Sequence, residues 1–282
     1  MSTKKKILIV ALSLLVIGGA FAITGYLMGA KLSINNRTFG IGIFNHKDNA
    51  SNNISTKKYK LNEFNEMDLD IDMATVNIEN GDTYEIEVSY NTRYSEIKHE
   101  IKDKKLIVTE QSKGTKIGNK KLKNHITIRI PKNHSFNKSN INLAMGDLNI
   151  NNLTSKDMDV ELDMGSFTGS NIETDNIKCE ASMGSIDISK LRSKATNIDV
   201  EMGSANISGE IYGVTEINSS MGSVELSSSI NLDDYEFDLN TGLGSISINN
   251  EEINGKYIKK ANSKNIIKAK TEMGSIEVNY KK

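Results

Sequence analysis

From residue 66 onward, apolar and polar residues alternate with a period of two. In "EMDLDIDMATVNIENGDTYEIEVSY" Leu69, Ile71 and Met73 fall on one side and Asp68, Asp70 and Asp72 on the other. "NGD" at Asn80–Asp82 punctuates the run, so the segment reads as a β-hairpin. "EIKHEIKDKKLIVTEQ" gives two more strands joined at Asp103-Lys104-Lys105, and "HITIRIP" one closed by Pro131. Between them lies a basic loop, "KGTKIGNKKLKN". No stretch here carries a helical period, so this part of the chain is expected to be all-β.

A repeat then takes over. Met145-Gly146, Met164-Gly165, Met183-Gly184, Met202-Gly203 and Met221-Gly222 follow one another every 19 residues, and Leu243-Gly244 and Met273-Gly274 follow after 22 and 30. Self-similarity at such a period marks stacked architecture. Nineteen residues is too short for a propeller blade and suits one coil of a parallel β-solenoid, with neighbouring coils about 4.8 Å apart. The expected fold is a right-handed parallel β-solenoid over 145–282, with irregular β coils or a cap over 59–144. Counting Met as position 1, position 4 is Leu148, Phe167, Ile186, Ala205, Val224, Ile246 and Ile276. Position 16 is Val160, Cys179, Ile198 and Ile217, and position 18 is Leu162, Ala181, Val200 and Ser219. Carried strictly forward, this alternation also turns Met inward. Met-Gly-Ser then reads as a corner in which Met plugs the core, Gly bends the chain and Ser bonds the bend. Such a thioether column has the donors for a soft metal such as Cu(I). Core packing is preferred, because Leu243 replaces Met without breaking the pattern.

The amino terminus is different. Lys4, Lys5 and Lys6 precede 24 residues without charge, Ile7–Ala30. As a helix these span about 36 Å, against a bilayer core of about 30 Å. The lysines place the helix with its carboxy-terminal side outward. Ala20-Phe21-Ala22 resembles a signal-peptidase site. An uncleaved transmembrane anchor over residues 1–30 is preferred to a signal peptide, because apolarity continues through Leu27 and Met28. Residues 31–58, rich in Asn, Ser, Gly and Lys, read as a flexible linker. The expected localisation is the cell membrane, single-pass, with the carboxy-terminal domain extracellular.

Charge divides the rest. Residues 31–144 carry 19 Lys/Arg and 14 Asp/Glu, whereas 145–282 carry 13 and 22. The acidic half argues against nucleic acid as a partner. The single cysteine, Cys179, excludes an intramolecular disulfide and reads as a core thiol. His46, His99, His125 and His134 have no metal-ligand spacing, and no nucleophile elbow or phosphate loop is present. The chain is therefore read as a non-enzyme without a cofactor. Polysaccharide lyases, also β-solenoids, are the enzymatic competitor.

One constellation suggests binding. Outward positions 15, 17 and 19 give Asp159, Glu161, Asp163, Glu180, Asp199, Glu201 and Glu216 in successive coils. Carboxylates about 5 Å apart repel, so Ca²⁺ or a cationic peptide are candidate ligands. The competing reading is a solvated acidic face relieved by Lys178.

The combination "VNIENGDTYEIEV", "KLIV", "ITIRIP" and reiterated "GS-I-x-I" over residues 60–280 resembles the bacterial putative-adhesin domain. The resemblance implies an extracytoplasmic β-solenoid-like domain of unknown function, often behind one membrane anchor. Some relatives are associated with envelope-stress responses. It implies no catalytic residues. The expected role is binding or structural, with an unknown envelope polymer or protein as partner. Sensing of cationic antimicrobials is the alternative.

Overall fold

A computed structural model describes residues 53–113 and 124–281. The expected anchor over 1–30, the linker as far as 52, the basic loop at 114–123 and Lys282 lie outside these residues. Regular structure among the described residues is entirely β. None of their helices is long and apolar enough to cross a membrane.

The centre of the molecule is β8 (Ser135–Met202), a run of 68 residues that winds through successive coils without losing its pairing. Its end pairs in parallel with β9 (Ala205–Met221), with Ile186 beside Ala205 and Met202 beside Met221. β10 (Val224–Ser228) continues the column, with Val224 beside Ala205. Each of these offsets is 19 residues, as the repeat requires.

Burial divides every coil into three straight parts. Leu148 and Ile150 point inward, then Leu153 and Ser155, then Met158, Val160 and Leu162. Within each part the inward residues alternate; between parts the alternation skips. A strand cannot change the face of its side chains without bending, so each skip is a corner. Position 4 from Leu148 to Ile276 is buried in every coil, as is position 16 from Val160 to Ile217. Cys179 is fully buried, as expected for a core thiol. In three successive coils position 11 holds a buried hydroxyl, Ser155, Thr174 and Ser193, and each is bonded. Ser155 Oγ donates to Asp157 O at 2.7 Å, and Thr174 Oγ1 to Asn176 O at 2.9 Å.

The amino-terminal strands extend the stack and then close it. β2 (Glu66–Met73) and β3 (Thr75–Gly81) form a coil lying in parallel on the start of β8. β6 (Lys105–Ser112) and β7 (His125–Pro131) form the next coil, again parallel. Antiparallel strands then cover the end: β5 (Ser95–Lys102) on β6, β4 (Glu85–Asn91) on β7, and β1 (Ile54–Lys60) on β4. The joint at Asp103–Lys104 is a two-residue hairpin turn with both residues at positive φ, 51° and 58°.

Three expectations are corrected here. β3 and β4 do not form a hairpin, because β7 lies between them. Residues 54–58, read as linker, are the start of β1. The last coils do not stack in chain order. β15 (Ile266–Met273) and β16 (Ile276–Tyr280) insert between the β9–β10 coil and the coil of β11 (Glu236–Leu243) and β12 (Ile246–Ile248). The intervening residues form β13 (Glu251–Ile253) and β14 (Lys256–Lys259), which pair antiparallel with β12 and β11 and cover that edge. Lys281 therefore follows an internal strand. At both ends the outermost strands, β1 and β5 on one side and β13 and β14 on the other, pair antiparallel with the stack.

Candidate binding surfaces

The repeated corner is built from glycine, as expected. Gly184 has φ +151°, and a Cβ there would lie 1.6 Å from the carbonyl oxygen of Gly165 in the next coil. Only a residue without a side chain lets the coils approach at this point. The serine of the motif bonds the neighbouring rung and not its own bend: Ser166 Oγ donates to Asp147 Oδ1 at 2.7 Å, and Ser223 and Ser275 hydroxyls lie 3.1 Å apart.

The methionines are stacked but face outward, against expectation. Met164, Met183, Met202, Met221 and Met273 are 36%, 43%, 40%, 43% and 48% exposed, and Leu243 is 71% exposed. The alternation breaks before Met, not after it. Positions 18 and 4 fill the interior of the corner, and the residues between them pass around the outside. Met73 joins this column beside Met145, although Ala74 stands where the other corners have Gly.

The acidic columns come together as surface rows, and Glu180, Asp199 and Glu216 in them are matched by a cation or an amide. Asp159, Glu161, Asp163 and Glu201 are exposed, while Glu180, Asp199 and Glu216 are half-buried. Lys178 pairs with Glu180 at 2.9 Å. That hydrogen bond first, and then the charges of Glu180, Asp159 and Glu161, raise the Lys178 ammonium above the usual lysine range. Asn218 donates to Asp199 at 2.8 Å, and Lys268 lies 3.9 Å from Glu216. The same amide-to-carboxylate step recurs one coil apart at Asn176–Asp157 and Asn206–Asp187. Among the described residues no three His, Cys, Asp or Glu side chains converge as metal ligands.

His46 lies outside the described residues, and His99, His125 and His134 belong to no metal-ligating group among them. His99 packs tilted against Tyr59, with centroids 4.5 Å apart and an interplanar angle of 51°. His134 Nδ1 is 2.8 Å from the Tyr84 hydroxyl, and its ring packs against Phe64 and Phe136.

Concave surface follows a second corner, at position 8. Asn152, Asn171 and Lys190 occupy it in successive coils at φ 59°, 53° and 53°. Asparagine suits this left-handed backbone because its short polar side chain bonds locally. Two open hollows run along this corner. One, of about 560 Å³, is lined by Asn80, Lys132, Asn152, Asn171, Lys190 and Arg192 among others. The second, of about 710 Å³, shares Lys190 and Arg192 and continues past Ser208, Ser227, Asn249 and Tyr280. The lining mixes amide, hydroxyl and cationic groups with the carboxylates Glu173 and Glu210 and the apolar Leu153, Ile172 and Leu191; His134 lies in the first hollow and Tyr280 in the second. Arg192 is held by Glu210 at 2.8 Å. The buried Nε2 of His134 and Nδ2 of Asn249 have no protein partner and lie at these two hollows.

A family model described as Toastrack DUF4097 matches residues 64–211. The chain belongs to the Toastrack DUF4097 family. Solved structures similar to this Toastrack chain include a putative cell adhesion protein from Clostridium sporogenes, at 17% identity over 81% of this chain and 100% of that one, TM-score 0.41. A putative adhesin from Bacteroides fragilis has 14% identity over 82% and 99%, TM-score 0.46. A putative lipid binding protein from Parabacteroides distasonis has 17% identity over 82% and 98%, TM-score 0.42. No curated protein matches the chain.

The Toastrack corner also explains a buried carboxylate that the sequence did not single out. Between β6 and β7 the sequence carries no Met-Gly pair, so this coil lacks the regular corner. Side chains take over the missing backbone bonds. Glu110 Oε2 accepts from Met73 N at 2.7 Å, and Asn124 Nδ2 donates to Met73 O at 3.0 Å and to Glu110 Oε1 at 3.0 Å. Burial raises the Glu110 carboxyl above the usual range, and its bonds to Met73 N, Ser95 and Asn124 oppose that rise. The signal was present: Glu110 occupies a position whose neighbours Leu106 and Val108 are inward. The position-8 corner was also legible, as Asn152 and Asn171 recur at the repeat period.

Proposed function

We propose that this Toastrack chain is a non-catalytic binding module of the cell envelope, held by its amino-terminal apolar segment and presenting the β-stack outside the membrane. Its ligand is an elongated polar envelope polymer lying along the position-8 corner. The observation that carries this reading is the pair of adjoining hollows sharing Lys190 and Arg192. They are open, follow one corner across successive coils, and offer hydrogen-bond donors and acceptors spaced by the coil repeat of about 4.8 Å. A rigid row of that kind matches a polymer bearing repeated hydroxyl or anionic groups.

The test is co-sedimentation of the full chain with protein-free cell-wall sacculi. Asn171→Gly, Lys190→Gly and Arg192→Ala combined, with glycine keeping the left-handed backbone, should reduce the bound fraction at least tenfold while the thermal midpoint stays near that of the parent. Undiminished binding by a folded triple variant refutes the reading. The alternative, sensing of cationic antimicrobials by the acidic rows, has less support, since Lys178, Asn218 and Lys268 already answer Glu180, Asp199 and Glu216.

A further inference from the structure

We propose that the outward methionine column is a rail for soft monovalent metal ions, Cu(I) in particular. The column runs Met73, Met145, Met164, Met183, Met202, Met221, Met273. Its order follows from the register of Met73 on Met145, Met202 on Met221 and Met221 on Met273, and from the stacking of Gly146, Gly165, Gly184 and Gly203. Core packing was the reason to set metal binding aside from sequence. With five of these side chains exposed, that reason is gone.

Spacing is the first argument. Neighbouring parallel strands lie about 4.7–4.9 Å apart. An ion held between two sulfurs at a metal–sulfur distance of about 2.3 Å spans about 4.6 Å. Adjacent rungs thus offer two thioethers at the separation a two-coordinate ion takes, with flexible Met side chains supplying the adjustment. Thioether donors select Cu(I) over Ca²⁺ or Mg²⁺, which take oxygen.

The second argument is internal. Other outward columns have drifted: position 15 runs Asp159, Lys178, Asn197, Glu216. The apex keeps Met in every coil but two, the β11–β12 coil with Leu243 and the β6–β7 coil, whose sequence has no Met-Gly pair. An exposed apex does not demand methionine for packing, because Leu243 occupies the same place at the end of the column. The third argument is electrostatic. Asp72, Asp163, Glu201 and Glu272 sit one residue before the apex in alternate coils, with Ala144, Ser182 and Ser220 between them. They concentrate cations along the rail. Cys179 does not compete, since it is fully buried.

The probe is Ag⁺, a redox-inert stand-in for Cu(I), titrated in chloride-free buffer into the full chain kept in solution with a non-ionic detergent. Cys179→Ala is the common background. At two to three thioethers per ion, the seven methionines hold about two or three ions. Met183→Leu, Met202→Leu and Met221→Leu combined should lower Ag⁺ affinity at least tenfold, whereas Met158→Leu, a core position off the rail, should leave it unchanged. Thioethers need no deprotonation, so binding should be equal at pH 5 and pH 7. A carboxylate or imidazole site weakens on acidification. Equal binding by the triple variant and the background overturns the proposal, as does loss of binding at pH 5. If the triple variant does not fold, ¹³C-methyl methionine spectra of the background decide. Ag⁺ should move several methionine signals, and an unmoved set overturns the proposal.

Discussion

Replacing Gly184 by Ala tests the corner that generates the stack. The added Cβ would stand 1.6 Å from Gly165 O and 2.7 Å from its carbonyl carbon. Both are backbone atoms, so no side-chain rotation relieves the overlap. The backbone at φ +151° is a second obstacle, worth about 1–3 kcal/mol for a residue with a Cβ. Clearing the overlap requires the coils to part by more than an ångström, which breaks or stretches about two inter-coil hydrogen bonds at about 1 kcal/mol each. The sum is about 4 kcal/mol. Gly255→Ala is the matched control. Its φ is +74° and nothing lies within 4 Å of the added atom, so it carries left-handed strain alone, about 1 kcal/mol. Urea denaturation followed by far-UV circular dichroism measures both. Because stacked coils unfold cooperatively with their neighbours, the Gly184 variant should lose its midpoint by several times the shift of the Gly255 variant. Equal shifts would refute close coil contact as the reason for glycine.

Two other outcomes follow from buried groups. The Glu110 carboxyl is raised in the folded state, so the folded chain holds a proton that the unfolded chain releases first. Its contribution is therefore favourable below the ordinary carboxylate range and is lost as pH rises through the raised value. Thermal midpoints of the parent and Glu110→Gln between pH 4 and pH 8 should diverge, with Gln gaining relative to Glu as pH rises; a constant difference contradicts the assignment. Burial pushes the Cys179 thiol far up, with Asp159 adding to the rise. Its modification by a thiol-specific disulfide reagent at pH 8 should follow global unfolding, and rapid labelling of the native chain would show that the interior is not closed.

Local pattern alone determined the β class, the coil length of 19, the inward columns of positions 4, 16 and 18, and glycine at the corner. Each of these is a property of one strand and its bend. A side chain alternates sides because the backbone is pleated, whichever strand lies beside it. Only the tertiary structure decided where the alternation breaks, and so which way the methionines face. The corner interior is filled from both flanking strands, by Leu162 and Phe167 for example, and that leaves Met164 outside. It also decided the order of the last coils. Val224, Ile246 and Ile276 head nearly identical motifs, so any of them can pair with any other. Which pairs form depends on the β13–β14 excursion covering the edge of the β11–β12 coil and leaving a place for β15–β16 beneath it. Glu110 likewise acquired its role from a neighbour distant in sequence, Met73, whose N–H needed an acceptor where the regular corner is missing.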